Sequence, residues 1–345
     1  MRPGHTVVVR LDNDGDVLLA GPTVRAVAAG SRRVTMVCGP GGAQAARLLP
    51  GVDEVVVWAA PWVGYDPPAC RAGEVMRVVG RLAALQADQG LVLTSFHQSP
   101  LPMALLLRLA GVPRLAATCV DYPGSLLDVR HRGDDARHEV EEGLSLAAAA
   151  GFTLPAGDDG RLAVRRPLPD VRSLTGHSPY VVLHPGASVP ARAPGPDAAR
   201  AFAAGLADAG RRVVLTGSPG EAGLTSRVAD GVGGVLDLGG RTTYPQLAAV
   251  LAGAEAVVVG NTGPAHLAAA VGTPVVSLFS PVVSAHRWAP YGVPVVVLGD
   301  QDAPCRATRA RACPVPGHPC LDTVTPQEVL DAVDELSPRT LELPA

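Results

Sequence analysis

The sequence predicts an α/β protein built from two Rossmann-like domains facing across a cleft. Three observations carry this. Short β-branched runs alternate with Ala- and Leu-rich stretches of helical length along the chain. The runs are apolar throughout rather than alternating, the mark of parallel strands covered on both faces. The alternation also comes in two sets, separated by a Pro- and Arg-rich stretch, Arg165 to Pro179, that has no period and reads as a linker. A chain of 345 residues suits two cores better than one.

In the first set the strands are expected at 6–10, 34–38, 54–58, 91–94 and 115–118. Helices are expected at 16–29, 41–49, 73–87, 101–110 and 138–150, the last ended by Gly151 in a left-handed cap. The second set offers strands at 180–184, 212–216, 235–238, 256–260, 275–279 and 295–298. Its helices fall at 197–209, 221–229, 244–252 and 263–271. A last helix is expected at 326–336. These elements divide the chain into residues 1–170, residues 178–325, and a C-terminal helix and tail, 326–345. Ligands of such sheets bind beyond the C-terminal strand ends.

Composition excludes several classes. Net charge is −3 and pI about 6.3, without the concentrated basic face that nucleic acid requires. Aromatic residues make up 3% of the chain, too few for a base-stacking platform. The N-terminal apolar run is too short for a signal peptide, and Arg108 interrupts the most apolar stretch. A cytoplasmic protein with no membrane insertion is therefore expected. The six Cys form no C-x-x-C pair, and Cys305, Cys313 and Cys320 with His318 match no common zinc spacing, so no metal site is expected. The chain has no Lys and no Ile, which reflects a GC-rich genome.

Four strand-to-helix loops are candidates for chemistry. After the first strand comes Leu11-Asp12-Asn13-Asp14-Gly15-Asp16, which lacks the glycine spacing of a dinucleotide fingerprint. Asp16 has two readings, a helix N-cap and a general base that takes a proton from a nucleophile. After the first strand of the second set comes His184-Pro185-Gly186-Ala187-Ser188. Gly186 permits close backbone approach, Ser188 offers a donor to phosphate, and Arg192 brings a planar fork suited to a diphosphate. An ordinary turn with a solvated Arg is the competing reading. In Gly217-Ser218-Pro219-Gly220-Glu221, Glu221 suits a helix cap or a ribose hydroxyl. The fourth loop, Gly260-Asn261-Thr262-Gly263-Pro264, feeds a helix whose first amides form an anion site. His266 lies on that helix, facing either the ligand or the interior.

Together these blocks resemble glycosyltransferase family 9, the heptosyltransferases. The resemblance spans nearly the whole chain. Gly15-Asp16 is similar to the family's opening Gly-Asp, and His184–Ala187 to its H-P-G-A block. Thr262 to Pro274 resembles D-T-G-P-x-H-L-A-A-A-x-G-T-P from its second position. Arg287-Trp288 with Pro290-Tyr291-Gly292, and the tail from Cys313-Pro314 through Cys320 to Val329, are similar again. The resemblance implies the GT-B fold, an N-terminal acceptor domain and a C-terminal donor domain. It also implies that Asp16 is the catalytic base, and that Glu221 and the Asn261–Gly263 turn hold the donor. Two departures stand out. Asn261 replaces a family Asp expected at the donor sugar, and Ala191 occupies the usual phosphate-binding Lys position, leaving Arg192 beside it.

The expected activity is inverting transfer, independent of metal, of a heptose or related sugar from an ADP-sugar. The acceptor is a hydroxyl or amine on a glycan or small molecule. Because the composition suggests a source without lipopolysaccharide, a natural-product precursor such as an aminoglycoside or nucleoside is included. No cofactor is expected beyond the donor, and no D-x-D motif occurs. The alternatives are a GT-B sugar-nucleotide epimerase and a non-catalytic nucleotide-sugar-binding protein.

Overall fold

A computed structural model describes residues 4–95, 97–134 and 136–337. The chain forms two compact units, one ending at Arg165 and the other beginning at Arg166. The tail beyond residue 337, grouped with the last helix above, lies outside the described residues.

The first unit holds a six-stranded sheet of β1 (His5–Arg10), β2 (Arg33–Cys38), β3 (Glu54–Val57), β4 (Gln89–Leu93), β5 (Arg114–Thr118) and β6 (Val129–His131). All neighbours are parallel, in the order β3-β2-β1-β4-β5-β6. The second unit holds β7 (Val181–His184), β8 (Val213–Leu215), β9 (Val235–Asp237), β10 (Val257–Gly260), β11 (Val275–Leu278) and β12 (Val295–Leu298). Their order is β12-β11-β10-β7-β8-β9, again parallel throughout. Read from its other edge, the second sheet repeats the first strand for strand. The order reverses between β1 and β4 in one unit and between β7 and β10 in the other. At such a reversal the flanking crossovers leave on opposite faces and open a crevice at the carboxyl ends of the two central strands.

The apolar runs explain the sheets. Val7, Val8 and Val9 in β1, and Val257, Val258 and Val259 in β10, are fully buried. The buried face of helix Pro196–Asp208 (Ala199, Phe202, Ala203, Leu206) joins Leu183, Leu215 and Val258 in the second core. Capping boxes start two helices, Thr243 with Gln246 before Tyr244–Ala252 and Thr325 with Glu328 before Pro326–Leu336. Gly151 and Gly272 end their helices at φ 94° and 90°, a backbone region where a Cβ is penalised.

Several elements differ from the sequence expectation. The helix expected at 16–29 is two helices, Asp14–Leu19 and Gly21–Gly30, joined at Ala20. Pro22 lacks the N–H needed to continue the ladder, and its ring crowds the carbonyl of Leu18. Strand β6 has three residues, too few for a periodic signal. Side chains pin it: His131 bonds Thr118 Oγ1 at 2.9 Å and Ser145 Oγ at 2.9 Å, and pairs with Glu142 at 3.2 Å. The linker stretch contains a single helical turn, Arg172–Thr175. Single turns Ala285–Trp288 and Pro319–Asp322 were likewise too short to mark the sequence. Helix Pro326–Leu336 is no separate element. Val329, Ala332 and Val333 are buried in the core of the second unit. No helix among the described residues is long and apolar enough to cross a membrane.

Candidate functional site

The first unit gathers charge at its strand-order reversal. Arg10 closes β1 and is buried, an unusual position for a cation at the end of a valine strand. Each of its guanidinium nitrogens is committed. Nε pairs with Asp12 Oδ2 at 2.9 Å, Nη1 with Glu139 Oε2 at 3.4 Å and Nη2 with Asp16 Oδ1 at 2.8 Å. Nη2 also donates to Ser95 Oγ at 3.0 Å. Asp12 and Asp16 follow β1, Ser95 follows β4, and Glu139 opens helix Glu139–Ala149. Gln98, also after β4, donates to Asp12 Oδ1 at 2.7 Å. The arrangement therefore spans the β1/β4 crevice with residues from both of its sides.

Electrostatics follow from this packing. Burial alone disfavours the Arg10 charge, but Asp12, Asp16 and Glu139 outweigh it and hold the guanidinium more firmly protonated than usual. Burial pushes the Asp12 carboxyl up, against the pull of Arg10. Asp16 is the open member of the ring. Its side chain is 22% exposed, against 12% for Asp12 and 4% for Glu139. Its bond to Arg10 uses one oxygen, Oδ1. The N-cap reading of Asp16 is corrected here. Helix Asp14–Leu19 begins two residues earlier, with Asn13 in the cap position, so the carboxylate is not needed by the helix end. A water-sized cavity beside the cluster is lined by Leu11, Trp62, Val63, Thr94, Gln98 and Met103. Among the described residues no group of three or more His, Cys, Asp or Glu is placed to hold a metal.

The second unit carries the remaining candidates at its own reversal. The loop after β7 begins with buried His184, whose Nδ1 lies 3.0 Å from Thr216 Oγ1 and whose Nε2 lies 3.9 Å from Glu221 Oε2. Burial pushes the His184 imidazole toward neutrality, and Glu221 opposes it. Glu221 accepts from the Ser218 amide at 2.7 Å and stands at the N-cap position of helix Ala222–Ala229. Its carboxylate lies where a Cβ on Gly186 would be, so any larger residue at 186 would displace the Glu221 side chain. The glycine does not make room for a ligand alone; it admits Glu221 to the loop.

Gly260 has a similar role on the β10 side, because a Cβ there would overlap the Arg192 carbonyl. The turn Pro190–Arg192 is thereby seated on the end of β10, immediately before Asn261. Asn261 is buried, and Thr262 and Gly263 are half-buried. Thr262 is the N-cap of helix Gly263–Val271 and makes no side-chain cap bond. Ser188 is exposed and Arg192 half-buried, while His266 is buried on the helix. The structure thus brings Gly186 together with Glu221 and His184, and Arg192 with the Asn261–Gly263 turn.

Sequence reasoning missed Arg10, Glu139, Ser95, Gln98 and Thr216. One signal was available: Arg10 is the single charge closing an otherwise apolar strand, directly before three carboxylates. Glu139 carried none, since acidic residues are common in the first turn of a helix.

Comparisons with known proteins agree with this architecture. The sequence profile of "Glycosyltransferase family 9 (heptosyltransferase)" matches residues 75–318, more than half of the chain. Lipopolysaccharide heptosyltransferase 3 of Escherichia coli is 32% identical over 138 residues. The match spans 38% of this chain and 39% of that protein, well under two thirds of its length. Among solved structures, a family 9 glycosyltransferase from Veillonella parvula superimposes with a TM-score of 0.75 at 17% identity, covering 97% of this chain and 98% of that one. The E. coli heptosyltransferase WaaC, solved with ADP-2-deoxy-2-fluoro heptose, gives 0.69 at 23% identity, covering 96% and 99%. At these identities the likeness is one of fold, and the two six-stranded parallel sheets are those of the GT-B class. The matched profile and the ordered motifs it spans lead to one assignment: the chain belongs to glycosyltransferase family 9, the heptosyltransferases.

Proposed function

We propose that the protein transfers a heptose from ADP-heptose, with inversion, to a hydroxyl or amine of a small-molecule or glycan acceptor. The observation that carries this reading is Asp16, a partly exposed carboxylate held through one oxygen at the strand-order reversal of the first unit. A general base needs that combination of fixed position and an accessible lone pair. Family membership and the ADP-heptose analogue bound by WaaC support the donor.

In the proposed reaction Asp16 takes the proton from the acceptor O–H or N–H. The acceptor lone pair forms the new bond to the anomeric carbon. The bond from that carbon to the diphosphate oxygen breaks, and ADP leaves with the electron pair. The charge growing on ADP is met by the amides of Thr262 and Gly263 at a helix N-terminus and by Arg192, in place of a metal ion. Ser188 and Glu221 complete the donor contacts, Glu221 at the ribose, and Asn261 and His266 border the same turn. The first unit thus holds the acceptor and the second the donor.

The test pairs ADP-heptose with a panel of glycans, aminoglycosides and nucleosides, followed by mass spectrometry and ADP release. Asp16→Asn is expected to bind ADP as the parent does while turnover falls by about a thousandfold, in the range lost when a catalytic base is removed. Near-parental turnover in that variant removes Asp16 from the role. A changed nucleotide sugar formed without acceptor makes the protein an epimerase instead.

A further inference from the structure

A carboxylate bonded to a guanidinium at 2.8 Å is ordinarily a poor base, because the neighbouring cation favours its ionised form. The cluster around Arg10 resolves this difficulty. One positive charge is shared among three carboxylates, each lying against a different nitrogen of the guanidinium. Two of the three, Asp12 and Glu139, are more enclosed than Asp16. Charge sharing of this kind weakens the hold of the cation on each partner, and the two enclosed anions oppose a further negative charge nearby.

We infer that Arg10 is a positioning residue for Asp16, and that Glu139 and Asp12 draw off its charge so that Asp16 stays able to accept a proton. This rests on Asp16 being the base of the proposed reaction. The geometry requires an arginine. A lysine ammonium is a compact point donor and cannot reproduce the bonds of Nη1 to Glu139 and of Nη2 to Asp16 and Ser95 while a third nitrogen stays 2.9 Å from Asp12. Ser95 locks the Nη2 edge at 3.0 Å and Gln98 locks Asp12 at 2.7 Å, so the ring is fixed from the β4 side as well. Other titratable groups on the elements that form the ring are His97, which acts on Asp12, and His138 and Asp14. His138 caps the helix that Glu139 opens, and Asp14 shares the short helix of Asp16.

The test reads Asp16 directly. Protein labelled with carbon-13 at the aspartate carboxyls is titrated from about pH 3 to pH 8, the Asp16 signal being assigned by its loss in Asp16→Asn. In Glu139→Gln, which preserves shape and an acceptor for Nη1, the Asp16 titration is expected to move down by about half a pH unit or more. The acid limb of kcat/KM, followed by ADP release from ADP-heptose with the acceptor found above, moves with it. Asp12→Asn gives a shift of the same sign should Glu139→Gln fail to fold. Arg10→Lys is expected to lower kcat at least about tenfold with the KM for ADP-heptose within about twofold, as loss of orientation predicts. A loss of stability alone would lower activity at every pH without displacing the limb. An unmoved Asp16 titration in both folded carboxylate variants, or parental kcat in Arg10→Lys, overturns the inference. The carbon-13 signal needs no turnover, so failure of Asp16 as base is scored separately by Asp16→Asn.

Discussion

Asp14 and Asp16 sit on one turn of one helix, yet the structure treats them in opposite ways. Asp16 meets a cation, whereas Asp14 accepts from the amide of Ala45, at 3.1 Å. Burial pushes the Asp14 carboxyl up to about 6, only partly countered by that amide. Its folded value therefore lies above the ordinary 3.8, and the folded chain binds this proton more tightly than the unfolded one. The ionised carboxylate costs stability above about pH 6, and the cost disappears as pH falls through 6 toward 4. Asp14→Asn keeps an oxygen for the Ala45 amide and removes the charge. It is expected to raise Tm by about 2 °C or more at pH 8 and to leave it unchanged at pH 4, a difference that thermal melts at the two values measure. Legibility at this scale followed sequence distance. Asp16 was visible because its loop is local, and so were His184–Ala187 and Asn261–Gly263. Glu139 was invisible because its partner Arg10 lies 129 residues away. The direction of a long-range ion pair leaves no trace in either neighbourhood.

Among the elements, the strand-to-helix loops of the second unit depend on glycines in a way the sequence only half reveals. Gly186 read as a place where backbone meets ligand, but what it meets is the Glu221 carboxylate of the next loop. Gly186→Ala drives the Glu221 carboxylate out of place and deprives the Ser218 amide of its acceptor. The expected outcome is a rise of about tenfold or more in the Kd for ADP, read by calorimetry, with the acceptor KM unchanged. The strands were legible because β-branched, wholly apolar runs have few other uses. Strand β6 was not, because its stability comes from His131, Thr118, Ser145 and Glu142 rather than from an apolar run. The break at Ala20 was equally hidden, although Pro22 caused it in plain view.

At the scale of the molecule, each unit owns its core. The apolar cluster around Phe202 and Leu183 draws only on residues of the second unit, and the one around Met103 and Leu107 only on the first. Domains with separate cores commonly fold alone. If the donor contacts lie entirely in the second unit, residues 166–337 expressed alone bind ADP with a Kd within about tenfold of the full chain. Residues 1–165 show no binding, and calorimetry on both pieces checks the division. Absence of ADP binding by a folded 166–337 piece would place essential donor contacts in the first unit.

The shared strand order has a last consequence. Both sheets run 3-2-1-4-5-6 once the second is read from its far edge, so the loop bearing Asp12 and Asp16 corresponds to the one bearing His184 and Gly186. Likewise the segment with Ser95 and Gln98 corresponds to the Asn261–Gly263 turn. Two copies of one scaffold have thus specialised at matching addresses, one toward carboxylates and the other toward neutral amides. Under the division of labour proposed above, mutations that retarget the acceptor are expected to accumulate in the first copy without disturbing nucleotide recognition in the second. A molecule divided in that way would change what it glycosylates while keeping the sugar currency it uses.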